Sequence, residues 1–220
     1  MAGKRKAAVR AASRSPLTRE AISRAALQLL DREGLDGLSM RQLGRAMGVE
    51  GMAIYHHFRD KGELLDAVME RLFEEVEMPP RGSLAPMARL RRIFGSYRAI
   101  SIRHPKAFIL LVNRRFNTER LFALYEQILE AFADFGLTPE QSARYFRMFG
   151  YYMNGAGMAE IASRGSQPDA TPVQLETFDR REQYPHIAAV APHLRVGQLD
   201  AIYDFGLEMI FRELEKSAKP

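Results

Sequence analysis

Residues 39–61 read Ser39-Met40-Arg41-Gln42-Leu43-Gly44-Arg45-Ala46-Met47-Gly48-Val49-Glu50-Gly51-Met52-Ala53-Ile54-Tyr55-His56-His57-Phe58-Arg59-Asp60-Lys61. The pattern predicts two short helices joined by a glycine-containing turn. Ser39 and Gln42 form a capping box, in which the serine side chain caps the first turn and the glutamine reaches back to the cap. Leu43, Ala46 and Met47 are expected to face inward, and Gly48 permits the sharp turn. In the second helix Ile54 and Phe58 share one side, while Met52, Ala53, Tyr55, His56 and His57 point elsewhere. A helix of that size, with polar and aromatic tips beside basic residues, fits the major groove of DNA.

Upstream, Thr18 is an N-cap, with Glu20 in the first turn against the helix dipole. Ile22, Ala25, Ala26, Leu29 and Leu30 follow one helical stripe, and Gly34 stops that helix. Downstream, Asp60 and Glu63 form a second box, opening a helix with Leu64, Leu65, Val68, Leu72 and Val76 along one side. Met78-Pro79-Pro80-Arg81-Gly82 ends it and marks the candidate module boundary. Further helices are predicted over about 86–103, 105–114, 118–135 (closed by Gly136), 138–163, a short piece around 182–194, and 196–216. Thr138-Pro139-Glu140-Gln141 is a start signal with an N-cap, proline at N1 and glutamine at N3. Residues 164–180, rich in Gly, Ser, Gln, Pro, Asp and Thr, are expected to form a mobile loop. No stretch sustains an alternating strand pattern, so the expected class is all-α. The expected organisation is a disordered basic arm over 1–16, a three-helix helix-turn-helix domain over 17–62, and a helical-bundle domain over 63–220 that begins with a connecting helix at 63–77.

Charge sharpens the division. The chain has 220 residues and a net charge of +5, but residues 1–61 hold 12 Lys and Arg against 6 Asp and Glu, and residues 62–220 hold 20 against 21. The whole excess sits in the first quarter, which suggests a polyanionic partner for that part alone. Cysteine is absent, which excludes disulfides and thiolate metal sites and fits a cytoplasmic protein. The longest apolar run, Ala107 to Val112, is far short of the roughly 20 residues that span a bilayer. The basic N-terminus lacks the apolar segment of a secretory signal. No Glu-x-x-His pair, nucleophile–base arrangement or Gly-rich phosphate loop is present, so no enzyme activity, cofactor or metal is expected. Adjacent histidines such as His56 and His57 point about 100° apart on a helix, whereas helical metal pairs sit three or four residues apart; His104, His186 and His193 are dispersed.

The run Leu27-Gln28-Leu29-Leu30, Gly34, Leu38, Ser39-Met40-Arg41-Gln42-Leu43-Gly44, Met47-Gly48-Val49, Ile54-Tyr55-His56-His57-Phe58 and Lys61-Gly62-Glu63-Leu64-Leu65-Asp66 resembles the N-terminal DNA-binding domain of the tetracycline-repressor (TetR) family. Tyr203-Asp204-Phe205-Gly206-Leu207-Glu208-Met209-Ile210 with Leu214-Glu215 looks like the last helix of the tetracycline-repressor branch itself. The resemblance implies an all-helical homodimer that binds a palindromic operator in double-stranded DNA and a small effector, here hydrophobic or aromatic. It implies a regulator, most simply a repressor. An effector-free DNA-binding protein of the same fold, architectural or regulated by a partner, is the alternative.

By motif position, the DNA-contacting candidates are Ser39, Met40, Arg41, Gly51, Met52, Ala53, Tyr55, His56, His57 and Lys61. Arg41 suits a base contact, since guanidinium pairs bidentately with guanine; Met52 and Ala53 suit thymine methyls. Tyr55, His57 and Lys61 suit phosphates. Packing of Tyr55 against the preceding helix, and plain exposure of His56 and His57, are the bland alternatives. Gly51 departs from the longer polar residues frequent in the family, which removes one base contact. The 1–16 arm suits phosphates or the minor groove, with plain disorder as the alternative. The effector candidates are Tyr97, Arg98, His104, Phe108, Asn113, Phe116, Tyr125, Phe149, Tyr152, Met153 and Asn154, an aromatic and Met-rich set with a few polar groups. The end of the 63–77 helix carries Glu74, Glu75 and Glu77 where a drug-contacting histidine would stand, so neither tetracycline nor magnesium is carried over. Dimerisation is assigned to the helices near 138–163 and 196–216, with Gly150, Gly155, Gly157 and Gly206 allowing close approach between chains or within one.

Overall fold

The structure, a computed structural model, describes residues 17–114, 118–164 and 182–217. The basic arm, Phe116 and most of the predicted loop at 164–180 lie outside the described residues. Every regular element among the described residues is helical: α1 (Arg19–Glu33), α2 (Met40–Met47), α3 (Gly51–Tyr55), α4 (Lys61–Glu74), α5 (Pro86–Arg103), α6 (Ile109–Asn113), α7 (Glu119–Asp134), α8 (Pro139–Arg164), α9 (Pro185–Val190) and α10 (Leu199–Ser217). The all-α architecture expected from the sequence is the one observed. Two compact units divide the chain, the first ending at Val68 and the second starting at Met69, so the division falls inside α4.

In the first unit the local signals act as physics requires. Thr18 accepts a hydrogen bond from the Ala21 amide at 3.1 Å. Gly34, at φ 74°, donates its amide to Leu30 O and ends α1. Ile22, Leu30, Leu43, Ile54, Phe58 and Leu64 are fully buried together with Leu38. Ser39 accepts from the Gln42 amide at 3.2 Å, but the Gln42 side chain meets the serine hydroxyl at 2.7 Å rather than the cap backbone. Asp60 accepts from the Glu63 amide at 2.8 Å, and Glu63 reaches one residue further back than a capping box requires, to the Arg59 amide at 2.8 Å. Ala46 is exposed and Met47 half-buried, against expectation. The buried stripe of α2 runs through Met40, Leu43 and Gly44, and Ala46 lies off that i, i+3, i+4 face.

The turn between α2 and α3 is set by backbone contact. Gly48 takes the left-handed conformation at φ 68°, and the Val49 amide returns to Gly44 O at 2.9 Å. A Cβ on Gly44 would meet Gly51 N and Val49 O at 2.9 Å and Gly51 Cα at 3.0 Å. No side chain fits between these helices.

In the second unit α5 packs on α7 and α8, and α8 on α7 and α10. Phe94 stacks on Phe149 with centroids 4.0 Å apart, and Phe132 and Phe211 close around them. Thr138 and Gln141 form a reciprocal box at the start of α8, each accepting the other's amide. Residues 78–82 lie in this unit, where Arg81 pairs with Asp134 and Glu130 of α7, and the buried Arg89 donates to Pro79 O and pairs with Glu130.

Several boundaries differ from the predicted ones. α4 ends at Glu74 rather than 77, because the Glu75 and Val76 amides bond three residues back and tighten the last turn. α6 starts at Ile109 rather than 105: the Ala107 and Phe108 amides both return to His104 O, making a turn around Pro105. α9 spans only Pro185–Val190. Two glycines assigned to close approach serve this chain's own packing. A Cβ on Gly157 would meet the Phe108 ring at 2.8 Å, and one on Gly206 would overlap the Tyr152 ring; Gly150 and Gly155 face open space.

Gly44→Ala is expected to cost about 1–3 kcal/mol by forcing α2 and α3 apart, measured by urea denaturation, with DNA binding lost in parallel. Wild-type stability with wild-type DNA affinity would contradict the close-approach account.

Candidate functional site

The outer surface of α2 and α3 carries most of the predicted DNA contacts. Arg41 is exposed in the first turn of α2 and has no ion-pair partner among the described residues. Met52 is 67% exposed and Tyr55 47% exposed, while Ile54 beneath them is fully buried. His56 and Lys61 are exposed, and Ser39, Ala53 and His57 half-buried. Gly51 opens α3 beside the first turn of α2, where a Cβ would make ordinary contact at 3.4 Å from Arg41 Cα. Lys61 spends one donor on Leu35 O at 3.3 Å, leaving two on its ammonium. Met40 departs from expectation: it is only 6% exposed, because it heads the buried stripe of α2, and its side chain serves the core rather than a groove.

Sequence reasoning missed Arg19. Its guanidinium lies 4.1 Å over the Phe58 ring, donates to His57 O and pairs with Glu63 at 2.9 Å. One side chain thus ties the start of α1 to the segment after α3 and to the start of α4. The available signal was an arginine in a helix's first turn, where the dipole disfavours a cation unless it has another task. The Arg59 amide holds the Glu63 carboxyl below its usual value; burial opposes it, and the Arg19 and Arg59 side chains add to the lowering.

The second unit contains a cavity of about 440 Å³, within the range of small-molecule sites. Of the predicted effector residues, Tyr97, Tyr125, Met153 and Asn154 line it. Tyr97 Oη donates to Asn154 Oδ1 at 2.7 Å, and burial pushes the Tyr97 phenol well above its ordinary value, keeping it a neutral donor. Phe73, Val76, Phe94, Leu111, Phe146, Arg147 and Tyr151 also line the cavity and were not singled out from the sequence.

The remaining candidates lie elsewhere. Arg98 is spent on a network with Glu160 at 2.5 Å and Asp200 at 2.7 Å, and sits 4.0 Å over the Tyr203 ring. His104 meets Glu75 at 2.9 Å. Phe108 and Phe149 are fully buried in the core, Asn113 is exposed at the end of α6, and Tyr152 donates to Tyr203 O at 2.6 Å. Arg98, His104, Phe108, Phe149 and Tyr152 are committed to packing and polar contacts within the unit, Asn113 faces solvent, and none of the six lines the cavity. Among the described residues no group of three or more His, Asp or Glu could hold a metal ion.

A two-helix reader with an exposed basic and aromatic face, followed by a separate helical unit with an aromatic cavity, defines a helix-turn-helix transcriptional regulator. Residues 22–68 match the profile of the bacterial regulatory proteins of the tetR family, and residues 79–217 that of the tetracyclin repressor-like C-terminal domain. The chain belongs to the TetR family. It is 29% identical to the HTH-type transcriptional repressor DrrR1 of Streptomyces coeruleorubidus, over 92% of this chain and 80% of that protein. It is 26% identical to the class C tetracycline repressor protein of Escherichia coli, over 91% of each. The fold matches that of ActR, a TetR family protein of Streptomyces coelicolor crystallised in complex with actinorhodin, with a TM-score of 0.77 at 23% identity over 91% of this chain and 96% of that one.

Arg19→Ala is expected to cost about 1 kcal/mol of stability and to weaken binding to duplex DNA, followed by fluorescence anisotropy; unchanged DNA affinity would show that Arg19 positions nothing. Because the Glu63 pKa is lowered on folding, its contribution is complete above the ordinary value of 4.5 and is lost as pH falls through the lowered one. Glu63→Gln should therefore reduce stability at neutral pH and flatten its decline on acidification, measured by thermal melts across pH.

Proposed function

We propose that this protein is a ligand-responsive repressor that binds a palindromic operator as a homodimer and is released when a small hydrophobic or aromatic effector fills the cavity of the second unit. The observation that carries this reading is the double service of α4. It begins at Lys61, directly after the DNA reader, and its last turn contributes Phe73 to the cavity wall. A ligand that displaces Phe73 acts on the helix that continues from the reader. Half-sites must stand about one helical turn, roughly 34 Å, apart, so a small shift breaks simultaneous docking. A coupling of about 1–3 kcal/mol is typical of such a switch. The cavity favours this reading over an effector-free architectural role, and the reading is that of a regulator rather than an enzyme. It acts in the cytoplasm, where its DNA is.

The dimer is proposed to form through α8 and α10. Tyr151 is 70% exposed and Phe205 69% exposed, and Met148, Ile202 and Met209 continue the same apolar surfaces at helical spacing. Large apolar side chains left in water along two helices mark an interaction face, and the open space over Gly155 gives a partner helix room to approach. DNA reading is proposed to rest on Arg41, Gly51, Met52, Ala53, Tyr55, His56, His57 and Lys61, with Ser39 capping the first of the two helices.

Arg41→Ala should cost about 1–3 kcal/mol on a selected operator and less on random duplex, measured by titration against both; equal losses would make Arg41 a phosphate contact. Phe205→Lys should shift the protein from dimer to monomer in analytical ultracentrifugation and abolish operator binding. A variant that stays dimeric would move the interface elsewhere.

A further inference from the structure

Resting on the DNA-reading proposal above, we infer that Met52 selects its base pair by the C5-methyl group of a pyrimidine, so that thymine and 5-methylcytosine are equivalent at that position and binding responds to cytosine methylation there. Met52, at 67%, is the most exposed large apolar side chain among the described residues of the first unit, whereas Ile54 in the same helix is fully buried. The first residues of a recognition helix are the ones that reach base edges. Here they are Gly51, Met52 and Ala53, whose side chains hold no N–H or O–H donor and only the weak acceptor of a thioether. The Ala53 amide is spent on Glu50 O at 3.0 Å. The start of α3 thus lacks the side-chain groups that read purine N7 and O6 or an exocyclic amine. The apolar feature of a base edge in the major groove is the methyl on C5 of thymine, and 5-methylcytosine carries the same group on the same ring atom.

The neighbouring helix divides the work. Arg41 is exposed on α2, which contains no acidic residue, so its guanidinium is left for a guanine edge. The backbone at Gly51 lies beside that of Arg41, close enough that a Cβ on Gly51 would stand 3.4 Å from Arg41 Cα. Arg41 and Met52 therefore leave adjacent stretches of backbone with no side chain at position 51 between them. One supplies a charged fork and the other a flexible, polarisable apolar tip that adapts its shape to a methyl group. A T·A pair replaced by a 5-methyl-C·G pair exchanges the hydrogen-bonding groups of the base edges but keeps the methyl, and a side chain that makes no hydrogen bond is indifferent to that exchange.

The test uses the full-length protein and an operator selected from random duplex, with each thymine of the half-site replaced in turn by deoxyuridine, which lacks only the methyl. At one position or two adjacent ones the replacement is expected to weaken binding about fourfold per methyl, the loss that one buried methyl implies. At that position a 5-methyl-C·G pair should bind within about twofold of T·A, and unmethylated C·G should fall to the deoxyuridine level. Met52→Gln, a substitution of similar length at an exposed site, should bind the thymine and deoxyuridine operators alike with unchanged circular dichroism. Equal wild-type affinity for thymine and deoxyuridine at every position overturns the inference, as does a thymine preference that survives in Met52→Gln or a 5-methyl-C·G site that binds no better than C·G. In each of these cases the protein still reads a selected operator; failure to select any operator instead removes the DNA-reading proposal itself.

Discussion

The contact of Gly44 with the backbone at Val49–Gly51 is the constraint on which the DNA-reading geometry depends. Two helices this close leave no room for a side chain at Gly44, so the crossing of α2 and α3 depends on that glycine. Gly48 supplies the left-handed residue that the turn demands. Ile54 and Phe58 then anchor the far end of the unit, and Arg19 locks the segment that follows from outside. A five-residue helix has too few internal hydrogen bonds to hold itself; α3 exists because its surroundings fix both ends. The side chains it leaves in water, Met52 and Tyr55, are therefore presented at a defined angle.

The second unit solves a different problem. Its helices are long, and the ring stack of Phe94, Phe132, Phe149 and Phe211 fills one part of the bundle densely. The neighbouring part is the cavity, where Gly150 lacks a side chain and Tyr97, Tyr125 and Phe146 stand as walls. A void of that size forfeits dispersion contacts and so lowers stability unless something occupies it. A regulator that is stabilised by its ligand gains its response from that deficit. The last turn of α4 forms part of the wall through Phe73.

What could be read from the sequence followed from how local each cause is. Thr18, Ser39, Asp60 and Thr138 as caps, and Gly34 and Gly136 as stops, act within one helical turn, so composition and spacing suffice to find them. The exposed face of the reader was legible because the motif is short and rigid; Met40 alone of its candidates is buried, its side chain turned inward along the stripe of α2. The cavity was less legible. Arg98 looks like any helix arginine in sequence, and only the fold reveals that Glu160 and Asp200 pair with it. Arg19 was missed for the same reason, since its partners at Phe58 and Glu63 are distant in the chain. Among aromatic residues, Phe149 and Phe146 are three positions apart on one helix, yet the first is core and the second is cavity wall. Periodicity alone does not separate these fates, because both faces of α8 are apolar.

The most direct test of the account is selection of DNA sequences from a random duplex pool by the full-length protein, followed by measurement of protomers bound per selected site. The account predicts enrichment of a pseudo-palindrome whose half-sites lie about one helical turn apart, occupied by protomers in pairs. Enrichment of no sequence, or of isolated half-sites each bound by a single protomer, would contradict it.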